Sequence, residues 1–339
     1  MFIEKTQLEL WRVLQPMYWY CFGMKSTEHQ LICAEHSQLF VEHEFSLDCG
    51  NGCIYEIRNG IPRTIESNYA AAFGFQWNRF QKTQLDSFTH TNISRKRLEQ
   101  SMGSELFEKL DQKDCLEVGC GAGRFTEILV ELCRHVVSVD LSDAVDANKL
   151  NCPISASHQI IQGDVMKLPF KLQNFELVLC LGVIQHTPNP EATIQALANQ
   201  VKVGGWLVID HYTKSLAWNF RSARYIRPFL KRLKPSVSFR IIENIYFLSK
   251  PLYQFSTSRI YRKLLNMLLP VVYFDQEIPE LGKEFRDDWS ILDSFDGLTD
   301  WYKHRRTKDQ IKIAIERTGL KVKKCEYGGN GVIAIAYRG

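Results

Sequence analysis

Residues 117–125 read Glu-Val-Gly-Cys-Gly-Ala-Gly-Arg-Phe. The stretch follows a short apolar run, CLEV, and opens a helical pattern, RFTEILVELCR. Glycines at 119, 121 and 123 permit a tight turn and let a ligand approach the main chain closely. The helix start just beyond offers N–H groups with no helical partner, which suit an anion such as a carboxylate. A dinucleotide fingerprint of the GxGxxG type needs a third glycine at position 124, where this chain has Arg124. Asp140 ends the next apolar run, VVSVD, and a carboxylate there can accept both hydroxyls of a ribose.

From Cys115 onward strands alternate with helices. VVSVDLS, HQIIQGD, FELVLCLGVI and GGWLVIDHY read as strands, with RFTEILVELCR and PEATIQALANQV as helices between them. FELVLCLGVI is apolar throughout, as a strand buried on both faces should be. The alternation implies right-handed crossovers and a parallel sheet. It stops near Tyr212. About ninety aromatic, basic and apolar residues follow, broken by Pro228, Pro235, Pro251 and Pro270, and these read as short inserted helices. KDQIKIAIERTGL is then helical, and LKVKKCEY, Gly-Gly-Asn-Gly and VIAIAYR form a closing antiparallel hairpin. The expectation is an α/β, Rossmann-like fold. It has a small hairpin-rich module at 1–66, a core at 67–212, a helical insert at 213–300 that caps the substrate site, and completion of the core at 301–339.

These motifs resemble the class I S-adenosylmethionine-dependent methyltransferases. EVGCGAGRF resembles that family's first motif, Asp140 its ribose-binding acid, and QGDVMKLPF the segment that flanks the adenine. FELVLCLGVIQHTPNP and VKVGGWLVI resemble its fourth- and fifth-strand motifs, although Glu176 and Val203 stand where the family commonly has Asp and Pro. The resemblance implies a seven-stranded mixed sheet ending in an antiparallel strand. It also implies a site for S-adenosyl-L-methionine. Gly119, Cys120, Gly121 and Gly123 would take the amino-acid tail, and Glu117 would fix the loop or the tail's amine. Asp140 would take the ribose, and Asp164 the adenine amine with Val165 and Leu141 on its ring.

The sulfonium carries an activated methyl group, so the protein has to align acceptor, methyl and sulfur and to remove a proton when the acceptor is a hydroxyl or an amine. His186, just after the fourth strand of the alternating region, is the candidate base; a structural histidine is the competing reading. His211 and Tyr212 end the next strand and stand near the same edge. NYAAAFGFQWNRFQKTQLDS and DSFDGLTDWYKHRRT resemble segments of a bacterial subgroup of these enzymes, and Gln76, Trp77 and Gln84 are candidates for a lid over the cofactor.

That subgroup often begins with a zinc-ribbon-like module followed by a Gly-Ile-Pro sequence. Here Cys33-x2-His36 and Cys49-x3-Cys53 precede Gly60-Ile61-Pro62. Four N/S ligands in two close pairs suit a closed structural zinc site. With His36 in place of a cysteine and a second pair one residue longer, a loaded ribbon and one folded without metal both stay open.

With 45% apolar and 24% charged residues among 339, a disordered class is excluded. Ten irregularly spaced cysteines, several inside apolar runs, suit reduced thiols and a cytoplasmic protein. The N-terminus lacks the apolar core of a signal peptide. Between Arg221 and Lys263 eleven Lys/Arg face the single acid Glu243, a local +10 on a chain of net +4. Basic residues mixed with bulky apolar ones suit a cap over the acceptor, with weak added contact to an anionic membrane surface peripheral to the inner membrane. Nucleic acid ranks last, since no RNA-binding module accompanies the block. The implied reaction is methyl transfer to a hydroxyl (or amine) of a small-molecule, glycan or lipid-linked acceptor. The alternatives are a non-catalytic S-adenosylmethionine-binding adaptor and an RNA methyltransferase using the insert; oligomeric state is left open.

Overall fold

The computed structural model describes residues 29–65, 70–214, 221–255, 258–274, 278 and 280–339. Among the described residues eleven strands form one mixed sheet: β1 (Val41–Glu42), β2 (Ser46–Asp48), β3 (Ile54–Arg58), β4 (Ile61–Thr64), β5 (Asp114–Val118), β6 (His135–Asp140), β7 (His158–Gly163), β8 (Phe175–Cys180), β9 (Val201–Tyr212), β10 (Lys321–Gly328) and β11 (Gly331–Tyr337). Their spatial order is β1-β2-β3-β4-β7-β6-β5-β8-β9-β11-β10. Strands β5 to β9 run parallel, and β11 returns antiparallel between β9 and β10.

The expected seven strands are the run from β7 to β10 in that order. The sheet is wider than expected because Arg63 and Thr64 of β4 pair in parallel with Gln162 and Gly163 of β7, which joins the N-terminal hairpins to the same sheet.

Side chains alternate across the parallel strands and fill two layers. Leu116, Val118, Val137 and Val139 pack on one face, with the helices Pro190–Gln200 and Lys308–Glu316 over it. Cys115, Val136, Leu177 and Leu179 pack on the other, against Leu98, Met102 and Leu129. Every residue of β8 except Glu176 is buried, as its unbroken apolar sequence requires.

Among the described residues four helices occupy the insert: Ala223–Leu230, Pro235–Gln254, Arg259–Leu268 and Lys283–Thr299. The second is longer than the proline spacing suggests. Pro235 opens it at the first turn, where a missing N–H costs nothing, and Pro251 falls in its last turn, where only the chain end is disturbed. These helices share a core of Phe239, Ile242, Tyr246, Ile291 and Phe295 with Phe80 of the segment before the sheet. The insert is thereby fastened over the carboxyl ends of the parallel strands. The direction of winding reverses between β5 and β8, and the crevice at such a switch point is where open α/β sheets bind ligands.

Candidate functional site

The loop after β5 has positive φ at Gly119, Gly121 and Gly123 (+80°, +52° and +103°). Gly119 is also fixed by contact, because a Cβ there would lie 2.0 Å from Val183 Cγ2. At Gly121 a Cβ would meet the Trp77 indole at 3.3 Å. Asp140 closes the loop from β6. Its Oδ2 accepts from Gly121 N at 2.9 Å, and its Oδ1 accepts from Ser142 N and Oγ at 2.8 and 2.7 Å. Burial pushes the Asp140 carboxyl up, against these donors, which favour the charged form.

A cavity of about 450 Å³ opens over this loop. Gly119, Cys120, Gly121, Asp140, Leu141, Asp164 and Val165 line it, and so does His186. Asp164 uses one carboxylate oxygen to cap the turn that follows, accepting from Met166 N at 2.9 Å. Gly123 lies outside the lining, packed toward Cys152 and Asn148.

Glu117 is also outside. Its Oε2 accepts from Thr126 Oγ1 at 2.6 Å and from Ser138 Oγ at 3.1 Å, and Thr126 Oγ1 in turn accepts from Asn148 Nδ2. It therefore fastens the loop's helix to β6, with burial pushing its carboxyl up to about 7. The folded-state value exceeds that of the unfolded chain, so the folded protein retains a proton the unfolded chain has released between about pH 4.5 and 7. Stability from this group falls as pH rises through that window and is flat above it. Glu117→Gln, which keeps the acceptor oxygen, is expected to gain on the order of 3 kcal/mol relative to wild type between pH 5 and pH 8. Urea unfolding at the two pH values checks this.

The lid candidates Gln76, Trp77 and Gln84 all line the cavity. Arg124 explains how they are held. Its Nη1 donates to Gln84 Oε1 and its Nε to Ser94 Oγ, both at 3.0 Å, while its guanidinium lies 5.4 Å from the Trp289 ring. The residue that breaks the dinucleotide fingerprint thus ties the segment before the sheet to the insert above the loop. Gln76 is 1% exposed, and among the described residues its Oε1 has no hydrogen-bond partner. A buried orphan acceptor facing a cavity awaits a donor, as the amines and hydroxyls of an adenosyl amino acid would supply. The glycine turn, Asp140 and this orphan fit that cofactor.

His186 Nδ1 lies 2.9 Å from Asp300 Oδ2 and 3.2 Å from Tyr302 O, and its ring packs edge-on against Phe73 and Tyr212. Asp300 is fully buried and also holds Arg227 Nε at 2.7 Å and Lys303 Nζ at 3.0 Å. Burial alone would raise the Asp300 carboxyl, but Lys303, His186 and Arg227 outweigh it and hold it well below the usual carboxylate range. Two further acids, Asp293 and Asp296, reach the cavity from the helix Lys283–Thr299. Burial, then the neighbouring Asp296, pushes Asp293 up to about 7. Arg97 Nη2 holds Asp210 Oδ2 at 2.9 Å, and Asp210 Oδ1 accepts from Gly182 N. Tyr212 lines the cavity. His211, one residue earlier, is fully buried on the opposite side of β9, with burial lowering it to about 4, and it donates or accepts nothing in the cavity.

At the N-terminal side the four candidate ligands meet. Cys33 Sγ, His36 Nδ1, Cys49 Sγ and Cys53 Sγ all lie within 4.8 Å of one another, and His36 Nδ1 is 3.5 Å from each sulfur. A tetrahedron with Zn–S of about 2.3 Å and Zn–N of about 2.05 Å has S···N edges of about 3.5 Å, so the donor set fits zinc. Ile32 N donates to Pro169 O at 2.9 Å, and Glu35 pairs with Lys167 at 3.0 Å. The ribbon therefore braces the segment that begins at Asp164. Purified protein is expected to carry about one zinc per chain by elemental analysis. Its removal by a strong chelator should lower Tm by several degrees.

Residues 116–209 match a family model described as a methyltransferase domain. A ubiquinone biosynthesis O-methyltransferase of Nitrosospira multiformis is 30% identical over 130 residues, covering 37% of this chain and 54% of that protein. Its counterpart in Paraburkholderia xenovorans is 27% identical over 130 residues, covering 36% and 56%. The chain thus spans about half the length of these curated relatives. Among solved structures, a magnesium protoporphyrin IX methyltransferase of Synechocystis with bound SAH is 14% identical with a TM-score of 0.42, covering 79% of this chain and 94% of that one. A S-adenosylmethionine-dependent methyltransferase of Mesorhizobium loti is 13% identical with a TM-score of 0.41, covering 69% and 95%. The family match spans strands β5 to β9 with the loops that supply the glycine turn, Asp140 and His186 to the cavity, and the chain therefore carries a methyltransferase domain over these residues.

Proposed function

We propose that this protein transfers a methyl group from S-adenosyl-L-methionine to a hydroxyl of a small-molecule, glycan or lipid-linked acceptor. The observation that carries the reading is that His186, buried beside Asp300, lines the same cavity as the glycine loop and Asp140. The positive-φ turn through Gly119 and Gly121 would carry the cofactor's tail, Asp140 would take its ribose, and Asp164, Val165 and Leu141 would surround its adenine. When bound, the cofactor supplies an activated methyl group. Everything else falls to this chain.

His186 Nδ1 stands 3.2 Å from Tyr302 O and 2.9 Å from Asp300 Oδ2, and a proton held there leaves Nε2 as the basic atom of the ring. A hydroxyl is a poor nucleophile until its proton leaves, and an imidazole held by a carboxylate removes one at neutral pH. Phe73 and Tyr212 fix the ring plane, so the nitrogen is aimed before the acceptor arrives. Trp77, the Arg124 bridge and the insert cover the cavity and exclude water. The amphipathic groups around it, Asp293, Asp296 and Arg97 beside Trp289 and Leu292, suit an acceptor with both polar and apolar parts.

Supporting a reducing, cytoplasmic setting, the described cysteines are all free thiols. Among the described residues no helix is long and apolar enough to cross a membrane. We read residues 1–66 as a zinc-ribbon-like brace, 67–212 with 301–339 as the methyltransferase core, and 213–300 as the acceptor cap.

The test is label transfer from methyl-labelled S-adenosylmethionine to panels of phenols, sugar nucleotides, lipid-linked hydroxyls and RNA. Transfer to a hydroxyl compound is expected. Cofactor binding without transfer to any panel would favour a non-catalytic adaptor, and transfer to RNA alone would favour the basic insert as an RNA-binding face.

A further inference from the structure

The helix Pro235–Gln254 is apolar on two sides. Phe239, Ile242, Tyr246 and Tyr253 are buried against the rest of the insert. On the opposite side Val237, Ile241, Leu248 and Leu252 face solvent at helical spacing, and Phe255 continues the stripe. Leu248 is 81% and Phe255 86% exposed. From Val237 to Phe255 the stripe is about 27 Å long, almost all of it helix.

The two neighbouring helices repeat the pattern. On Arg259–Leu268 the exposed side chains are Ile260, Tyr261, Leu264, Met267 and Leu268, with Ile260 81% exposed. Tyr225, Phe229 and Leu233 recur every four residues along Ala223–Leu230 and just beyond. The three helices converge at Asn266. Tyr253 Oη bonds its Oδ1 at 3.1 Å, Arg221 Nε donates to its carbonyl at 3.0 Å, and Ser222 N donates to Met267 O at 2.9 Å. An ordinary soluble surface does not gather so many large apolar groups in one region.

Charge selects the occupant. Arg224, Arg232, Lys234, Arg240 and Lys263 are exposed around these stripes. The single acid of the block, Glu243, lies beside Arg79 at 3.7 Å. A second copy of this chain would set these exposed cations against their own copies. RNA phosphates would answer the cations and leave the leucines and isoleucines in water. An anionic bilayer answers both, with headgroup charge for the cations and acyl-chain boundary for the apolar stripes.

We propose that the outer face of the three helices 223–230, 235–254 and 259–268 is a docking surface for an anionic phospholipid bilayer. The helix Lys283–Thr299 packs beneath two of them and lines the cavity with Trp289, Asp293 and Asp296 on its inner side. Docking therefore sets the cavity one helix layer, about 10 Å, below the lipid headgroups. Docking is independent of the methyl-transfer reading and stands or falls separately from it.

The test is sedimentation of the full chain with vesicles of phosphatidylglycerol and phosphatidylcholine, and with pure phosphatidylcholine. S-adenosylmethionine binding is titrated in parallel to report on the fold and on the site. Binding to the anionic vesicles that weakens with salt is expected. The substitutions Leu248→Ser, Phe255→Ser and Ile260→Ser together should reduce it about tenfold or more with cofactor affinity unchanged. Arg232→Ser, Lys234→Ser and Arg240→Ser, which leave the apolar stripes intact, should reduce it about tenfold and flatten the salt dependence. No vesicle binding by the wild type overturns the proposal. So does binding that neither set of substitutions reduces, or a dimer that the serine variants split without any vesicle binding.

Discussion

His186→Ala is expected to lower kcat by about 10²- to 10⁴-fold while S-adenosylmethionine affinity stays within about twofold of wild type. Proton removal from a hydroxyl is the step the imidazole serves, whereas the glycine loop and Asp140 are the groups that would hold the cofactor. Asp300 acts through His186, so it is a positioning residue. Its replacement by asparagine leaves Arg227 and Lys303 buried beside a neutral amide, which costs stability as well as activity. Asp300→Glu restores the charge at a displaced position. If Asp300 aims the imidazole, the glutamate variant should recover part of kcat with KM nearly unchanged. If the aspartate only neutralises two cations, glutamate should restore Tm and leave kcat as low as in the asparagine variant.

Asp140→Ala is expected to weaken S-adenosylmethionine binding by about 100-fold or more. Two charge-assisted hydrogen bonds to ribose hydroxyls contribute about 1.5 kcal/mol each at the least, and the variant also frees Gly121 N and Ser142 from their common acceptor. Asp140→Asn keeps an acceptor for one of these groups and should fall between the two. Calorimetric titration of folded variants measures it; a change of less than about threefold for alanine would remove the ribose role.

The cofactor side of this molecule was legible in the sequence because its parts are local. A glycine turn, the strand before it and the acid ending the next strand lie within some twenty-five residues, and the physics of each residue type points to one job. Glu117 shows the limit of that reading. Nothing in its position separates a residue that meets the ligand from one that fastens the loop from behind, and only the pairing with Thr126 and Ser138 decides. The four candidate zinc ligands were picked out by spacing, whereas the match of their S···N distances to a tetrahedral edge needed the fold of the hairpins.

The acceptor side was hidden for a different reason. Asp300 reaches His186 from a segment more than a hundred residues away, Arg97 reaches Asp210 across a similar distance, and Asp293 and Asp296 arrive on a helix of the insert. No local pattern marks such partners, because they are assembled by packing against Phe75, Phe80 and Phe239. The segment DSFDGLTDWYKHRRT did stand out, and two of its acids with Lys303 prove to surround the histidine. Its role could be read only once the chain had brought the ends of the domain together. The apolar insert was likewise visible as composition, while the division of its helices into a buried and an exposed stripe was not.

Calorimetric titration of the wild-type protein with S-adenosylmethionine, and in a parallel cell with NADH, tests the central claim most directly. The account predicts one site per chain for the sulfonium nucleoside in the micromolar range and no heat with NADH. Silence with the first ligand, or tight binding of the second, would contradict it.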